Sequence, residues 1–266
     1  MRVTLFEIGG FAVHSYGVII AVAVLLALGV AYFLTKNTIY QAHLLDSCVY
    51  AIIGALICAR IWHVFFFQWG YYSKHLTEIF AIWNGGISIM GAIVGGAIGI
   101  VIYTWRKKLS FWEYADYLAL AVVLGQALGR IACFLNGDAF GSPTGSGFGI
   151  VYPEGTMAYD RYGSQPLWPA EIWEGQCDLM IFAVLLILRN KRLPAGSHFL
   201  IYNILYAFAR FMLEYLRGDS PRYALQWTAG QWTSVSLIFG SLLLIGFIYL
   251  RSRRTPQSDE NPIGIQ

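Results

Sequence analysis

The sequence is poor in charge. Of its 266 residues only 12% are Asp, Glu, Lys or Arg, whereas 57% are hydrophobic, and the mean hydropathy is +0.56. A soluble domain has about a quarter of its residues charged, because its surface has to be solvated. The scarcity of charge therefore excludes an ordinary soluble domain and predicts an integral membrane protein.

Cysteine is also scarce, and the chain has no internal repeat. The four cysteines lie in apolar stretches without Cys-x-x-Cys spacing, which indicates neither a zinc site nor a disulfide framework. We expect no metal ion and no cofactor. The net charge of +3 reflects basic loops and predicts no nucleic-acid partner. The lack of a repeat argues against the inverted-repeat transporters.

Apolar stretches long enough to cross a bilayer recur along the chain, which is rare in a soluble protein of this size. The predicted spans are residues 16–34, 46–67, 87–105, 115–134, 172–189, 198–217 and 230–250. The predicted fold class is an all-α integral membrane protein with about seven transmembrane helices. In the third span, Gly91, Gly95 and Gly99 recur at four-residue spacing, which favours close helix packing.

Basic residues gather at alternate ends of the spans. The clusters are Lys36, Arg106-Lys107-Lys108, Arg189 with Lys191-Arg192, and Arg251 with Arg253-Arg254. By the positive-inside rule the N-terminus lies outside and the C-terminus in the cytoplasm. We therefore expect a polytopic membrane domain over 1–250 with an extracytoplasmic loop at 135–170, and a short polar cytoplasmic tail at 251–266. A loop of that length in a compact protein usually has a function.

Ionisable residues inside the predicted spans collect towards the outer side. They are Arg60 and His63 in the second span, Arg130 in the fourth, Glu171, Glu174 and Asp178 in the fifth, and Arg210, Glu214 and Arg217 in the sixth. The last three lie at i, i+4 and i+7, on one face of a helix. Single pairs could simply hold helices together. A whole cluster at one side favours a cavity for an anionic phospholipid headgroup, because arginine matches phosphate oxygens with a planar fork.

The segment around Arg130 resembles a family signature. It reads Gly129-Arg130-Ile131-Ala132-Cys133-Phe134-Leu135-Asn136-Gly137-Asp138-Ala139-Phe140-Gly141 and is similar to that of the bacterial prolipoprotein diacylglyceryl transferases. Further matches follow in the same order and cover essentially the whole membrane region. They are Ser15-Tyr16-Gly17, Ala59-Arg60, Trp83-Asn84-Gly85-Gly86-Ile87-Ser88, Pro169-Ala170-Glu171-Ile172-Trp173-Glu174, Arg210-Phe211 with Glu214 and Arg217, and Gly230-Gln231-Trp232.

The resemblance implies a reaction in the bacterial inner cell membrane. The diacylglyceryl group of phosphatidylglycerol passes to the lipobox cysteine thiol in the signal peptide of a preprolipoprotein, and glycerol phosphate is released. The resemblance implies catalytic roles for Arg130, Arg217 and Tyr16. It implies substrate-binding roles for Arg60, Asn136, Gly141, Glu174, Arg210 and Glu214. The oligomeric state does not follow from the sequence.

The chain departs from the family pattern at four positions. Met90 and Trp168 stand where the family usually or often has histidine, Cys133 stands where many members have Asn, and Glu171 replaces the usual Gln. The group that activates the acceptor thiol is therefore open. The candidates are the positive field of Arg130 and Arg217, and the side chains of His63, Glu174, Asp138 and Tyr16.

These departures keep two alternatives to the transferase open. One is a family relative with the same phospholipid pocket but an altered acceptor or a lost activity. The other is a channel or transporter, which the one-sided charge cluster disfavours because a transport path needs polar groups in both halves of the membrane.

Overall fold

The computed structural model describes residues 4–8, 11–191 and 193–254. An antiparallel hairpin of β1 (Thr4–Ile8) and β2 (Phe11–His14) leads into the first helix. The helices are α1 (Ser15–Leu34), α2 (Leu44–Trp62), α3 (Trp69–Tyr72), α4 (Ile89–Arg106), α5 (Phe111–Asn136), α6 (Met157–Tyr162), α7 (Ala170–Leu188), α8 (Ser197–Leu213) and α9 (Ala229–Arg254). A π-helical turn, His63–Phe67, extends α2.

Within the described residues, six helical stretches are long and apolar enough to cross a membrane. They are Ser15–Leu34, Gln41–Phe67, Ile89–Arg106, Phe111–Asn136, Ser197–Leu216 and Ala229–Arg251. They coincide with six of the predicted spans and expose large apolar side chains such as Leu25 and Phe239. Apart from the short β1–β2 hairpin the described chain is helical, and the predicted fold class of a helical membrane protein is confirmed. The remaining predicted span is α7, whose first half contains three buried acids, so the exact number of spans and their orientation stay predictions.

Contacts between residues divide the chain into two compact units, the first built from residues 1–30 and 116–266 and the second from 31–115. In the second unit, α4 packs on α2 through glycines. A Cβ atom at Gly91, Gly95 or Gly99 would overlap a backbone carbonyl oxygen of α2, which is that of Gly54 in the case of Gly95. The predicted role of these glycines in close packing is confirmed.

In the first unit, the segment between α5 and α7 is folded rather than extended. Gly137, with φ of 72°, reverses the chain after α5, and a Cβ atom there would lie 2.6 Å from the Cβ atom of Thr156. The segment contains α6 and a small apolar core of its own. That core is formed by Phe140, Tyr152, Ala158 and Leu167.

The end of α8 differs from the prediction. The i, i+4, i+7 spacing predicts one helix through Arg217, but α8 ends at Leu213, a 3₁₀ turn covers Glu214–Leu216, and Arg217 is extended with φ −73° and ψ 139°. The helical prediction over these last residues is wrong because their backbone bonds elsewhere. Ser142 N donates to Leu216 O at 2.7 Å, and Gly218 N donates to Phe140 O at 3.1 Å.

The predicted cytoplasmic tail begins inside a helix. Residues 251–254 form the last turn of α9, and residues 255–266 lie outside the described residues. Arg192, one of the basic residues used to orient the chain, also lies outside them. The domain boundaries stay predictions.

Candidate active site

Glu174 gathers three arginines in the first unit. It projects from the second turn of α7 and its side chain is only 5% exposed. Its Oε2 lies 2.8 Å from Arg130 Nη2 on α5, and its Oε1 accepts hydrogen bonds from Arg210 Nη1 on α8 and, at 3.3 Å, from Arg217 Nη1. Both carboxylate oxygens are thus occupied by guanidinium groups.

Arg217 is held from a second side by Asp219. Its Nε donates to Asp219 Oδ1 at 2.8 Å, and its Nη2 donates to Asp219 Oδ2. Burial alone would lower the pKa of Arg217, but the hydrogen bond to Asp219 and the charges of Glu174, Asp219 and Glu214 outweigh burial and raise the pKa above its ordinary value. The guanidinium therefore stays charged at any physiological pH.

Glu214 completes the network. Its Oε2 lies 2.8 Å from Arg210 Nη2 and 3.9 Å from Arg217 Nε. We call these six side chains the arginine–carboxylate cluster: Arg130, Arg210, Arg217, Glu174, Glu214 and Asp219. Positive and negative charges are equal in number, so the cluster itself has no excess charge. Arg130 of the predicted fourth span and the polar face of the sixth do lie together, joined by Glu174 of the fifth.

Gly141 places the loop segment next to Arg217. The two residues pair as an isolated antiparallel bridge. A Cβ atom at Gly141 would overlap the carbonyl oxygen of Trp168, and one at Gly218 would lie 2.6 Å from the carbonyl oxygen of Gly141. Glycine is therefore required for three backbone segments to approach this closely.

A second polar group lies between α1 and the end of α5. Asn136 Nδ2 donates to Asp138 Oδ2 at 3.0 Å. Tyr16, in the first turn of α1 and 39% exposed, interacts electrostatically with Cys133, Asp138 and Arg130. Of the predicted site residues, Tyr16 thus interacts with Arg130 of the arginine–carboxylate cluster, and Asn136 binds Asp138, another neighbour of Tyr16.

Arg60 belongs to the second unit, where its side chain binds backbone. It is buried, and its guanidinium carbon lies 5.0 Å from the ring centre of Tyr72. Its nitrogens donate to the carbonyl oxygens of Glu78, Ile79, Ala81, Gly85 and Gly86. Five acceptors match the five N–H groups of a guanidinium. Arg60 therefore fixes the loop that precedes α4, and its predicted part in substrate binding stays a prediction.

A small cavity opens between α5, α7 and α8. Its polar walls are Arg130, Glu174, Cys177, Asp178, Tyr206 and Arg210. Asp178 is 3% exposed, and its Oδ2 has no hydrogen-bond partner within the described residues. A buried carboxylate oxygen without a donor is costly. An orphaned acid on the wall of a cavity marks a place where a ligand atom could bind.

One member of the cluster, Asp219, does not follow from the sequence pattern. Asp219 follows Arg217 with only Gly218 between them, and their pairing depends on the turn that ends α8. The helical spacing used in the sequence argument does not extend into such a turn. The sequence signal that could have indicated this pair is the order Arg217-Gly218-Asp219, in which a glycine permits a turn between an arginine and a carboxylate.

The residues at which the chain departs from the family pattern lie in different parts of the structure. Met90 lies in α4 of the second unit. Trp168 packs against Trp173 with ring centres 5.7 Å apart. Glu171 is fully buried and its Oε1 accepts a hydrogen bond from the buried Tyr152 hydroxyl, which ties the loop segment to the start of α7.

Comparison with known proteins bears on this site. The family model described as Prolipoprotein diacylglyceryl transferase matches residues 3–247. Relatives named phosphatidylglycerol–prolipoprotein diacylglyceryl transferase include those of Acaryochloris marina, 35% identical over 96% of this chain and 94% of the relative, and Bacillus licheniformis, 35% identical over 96% and 95%. That of Listeria innocua is 37% identical over 94% of this chain and 90% of its own. With arginines gathered at a cavity among apolar helices and these matches over nearly its whole length, the chain belongs to the prolipoprotein diacylglyceryl transferase family.

Proposed function

We propose that this protein transfers the diacylglyceryl group of phosphatidylglycerol to the lipobox cysteine in the signal peptide of a prolipoprotein, releasing glycerol phosphate. The names of its relatives support this reaction. The observation that carries it is the meeting of three guanidinium groups on one buried carboxylate beside a cavity. Such a group of arginines fits a phosphate that gains charge as it leaves.

The arginines act on the leaving group. The phosphate of phosphatidylglycerol is a diester with one negative charge, and breaking its bond to the diacylglycerol carbon yields a monoester with a second charge. Arg130 and Arg217 bind its oxygens and share their N–H groups between phosphate and Glu174. Because the guanidinium groups are already in position, little reorganisation is needed as the charge develops.

The other predicted residues support this arrangement. Arg210 and Glu214 keep Glu174 and Arg217 in place through the contacts described above. Gly141 sets the position of Arg217 through the backbone bridge. Tyr16 and Asn136 contact substrate from the α1 side, next to Arg130.

The protein acts in the inner cell membrane of a bacterium. The N-terminus is outside and the C-terminus is in the cytoplasm, as the basic residues indicate. The arginine–carboxylate cluster then lies towards the outer leaflet. Phosphatidylglycerol reaches it from the bilayer, and the signal peptide presents its cysteine from the same side.

The reaction can be tested in vesicles that contain phosphatidylglycerol and the purified protein. A peptide with a lipobox cysteine should gain the mass of one diacylglyceryl group, with one glycerol phosphate released per modified peptide. The same peptide with serine in place of cysteine should stay unmodified. Lipid binding without modification of the cysteine peptide would contradict the transferase and favour a relative with another acceptor.

A further inference from the structure

Building on the proposed function, we propose that Asp178 is the residue that takes the proton of the acceptor thiol. Its carboxylate lies on the wall of the cavity that Arg130 and Arg210 also line, and Oδ2 lacks a hydrogen-bond partner within the described part of the chain. The side chain is almost fully buried, so no bulk water supplies that partner.

The reaction requires such a group. A free cysteine has a pKa of about 8.5, so only a few per cent is thiolate at neutral pH. Met90 cannot accept a proton where the family usually has histidine. Either another side chain at the reaction centre removes the thiol proton, or the reaction depends on the small fraction of peptide that is already thiolate.

The other buried carboxylates of the first unit either contact arginines or do not line the cavity. Both oxygens of Glu174 contact guanidinium groups, Glu214 contacts Arg210, and Asp219 binds Arg217 through two hydrogen bonds. Asp138 accepts from Asn136 and does not line the cavity. Asp138 Oδ1 and Glu171 Oε2 also lack a hydrogen-bond partner within the described residues, but neither residue is on the cavity wall. Asp178 combines a place on the cavity wall with an oxygen free to accept a proton.

Its position suits the geometry of the attack. Asp178 lies one helical turn beyond Glu174 along α7, and the cavity it lines includes Arg130 but not Arg217 or Asp219. In a phospholipid, the carbon under attack lies on the acyl side of the phosphate. We place the phosphate at Arg130 and Arg217 and the carbon under attack on the side of the cavity that Asp178 lines.

The thiol attacks the diacylglycerol carbon and displaces glycerol phosphate. The sulfur forms a bond to the diacylglycerol carbon, and the bond from that carbon to the phosphate oxygen breaks with its electron pair moving to oxygen. The thiol proton moves to Asp178. It then passes to the departing glycerol phosphate or to water, and Asp178 returns to its carboxylate form.

Several charged or titratable groups face Asp178 and shape its response to pH. They are Arg130 on α5, Glu174 and Cys177 on α7, and Tyr202, Tyr206 and Arg210 on α8. Burial, the largest influence, and the charge of Glu174 favour the protonated acid at this position, whereas the two guanidinium groups favour the carboxylate.

The test is a series of transfer rates against pH for the parent and Asp178→Asn in phosphatidylglycerol vesicles. Asn keeps the shape but cannot take the proton. We expect a loss of about 10²-fold at neutral pH, at the low end of general-base contributions. The rate of the variant should then rise about tenfold per pH unit until the peptide thiol ionises by itself.

A matched control is Glu171→Gln, which removes another buried carboxyl from the same helix but keeps an acceptor for Tyr152. It should retain the parent rate and profile. If Asp178→Asn fails to insert, Asp178→Ser with added formate replaces it, and restoration of the neutral-pH rate by formate supports the assignment.

Three results of the rate series with the Asn variants would overturn the proposal. They are an unchanged profile in Asp178→Asn, an equal loss at every pH, which indicates a structural role, and the predicted profile in Asp138→Asn instead. A Ser variant that does not respond to formate would overturn it as well. An inactive parent would contradict the proposed function and this inference together, whereas an active parent with an unaffected Asp178→Asn variant contradicts the inference alone.

Discussion

At the scale of single residues, Glu174 compensates the charge of three guanidinium groups that lie within contact of it. Replacing it by Gln leaves a buried excess of positive charge, which typically costs about 3–5 kcal/mol. A bound phosphate can supply the missing negative charge. We predict that Glu174→Gln lowers the melting temperature in neutral detergent and that phosphatidylglycerol raises it by more than in the parent.

The matched control for this measurement is Glu113→Gln. Glu113 is exposed and accepts a hydrogen bond from Tyr40 in the second unit. Its variant should show the same phosphatidylglycerol shift as the parent. An equal lipid shift in Glu174→Gln and the parent would mean that phosphate does not meet the arginines.

Substitution of Arg130 tests whether a positive charge alone is sufficient for transfer. Lys keeps the charge but replaces the planar fork by a single ammonium group. We predict that Arg130→Lys lowers the transfer rate by about 10²–10³-fold, the loss typical of removing one donor to a developing charge. Labelled phosphatidylglycerol in vesicles measures it. Arg189→Lys, at the exposed far end of α7, should keep the parent rate, and a near-parent rate in Arg130→Lys would exclude a forked contact.

At the scale of elements, the contact of α2 with α4 depends on glycine. In Gly95→Ala the added methyl would overlap the carbonyl oxygen of Gly54 and the helices would have to separate. We predict a loss of about 1–3 kcal/mol of stability, measured by unfolding in denaturing detergent. Gly96→Ala is the control, because its Cβ would lie 3.7 Å from its nearest neighbour. Equal stability of the two variants would contradict this packing.

The junction between the loop segment and Arg217 should affect activity more than stability. A methyl at Gly141 would push against the carbonyl oxygen of Trp168 and displace the strand-like contact that carries Arg217. We predict that Gly141→Ala lowers the transfer rate by up to about 10²-fold, since a displacement near 1 Å can have that effect. Gly147→Ala is the control and should keep the parent transfer rate, because its Cβ would have no neighbour within 4 Å. A parent rate in Gly141→Ala as well would disprove the dependence of activity on the contact between Gly141 and Arg217.

The elements show where sequence reasoning works and where it stops. Span positions follow from local hydropathy, so most predicted ends lie within a few residues of the observed ones. The positions of Arg130, Glu174 and Arg210 in the outer half of the predicted spans indicate that they belong to one cluster. The partners of Arg217 depend on contacts with a segment about 75 residues earlier in the chain, and no local pattern contains that information. The five carbonyl partners of Arg60 were unpredictable for the same reason.

At the scale of the whole molecule, orientation in the membrane is the open prediction. Ser146 is exposed in the folded loop segment, and Lys107 follows α4 at a basic end. We predict that an impermeant maleimide labels Ser146→Cys in intact cells with a permeabilised outer membrane, but labels Lys107→Cys only after lysis. The parent, with its four cysteines, gives the background. The opposite labelling pattern would reverse the topology.

In the proposed mechanism, the equal charges of the arginine–carboxylate cluster also govern how each turnover ends. While the site is empty, Glu174 occupies the guanidinium groups, so an anion arriving from water has to displace a carboxylate already in place. Free phosphate gains little from that exchange, whereas a phospholipid adds the burial of its acyl chains. After transfer the acyl chains stay with the peptide, and glycerol phosphate has only its headgroup contacts. Glu174 then returns to the arginines, so the contact that stabilises the empty site also expels the product.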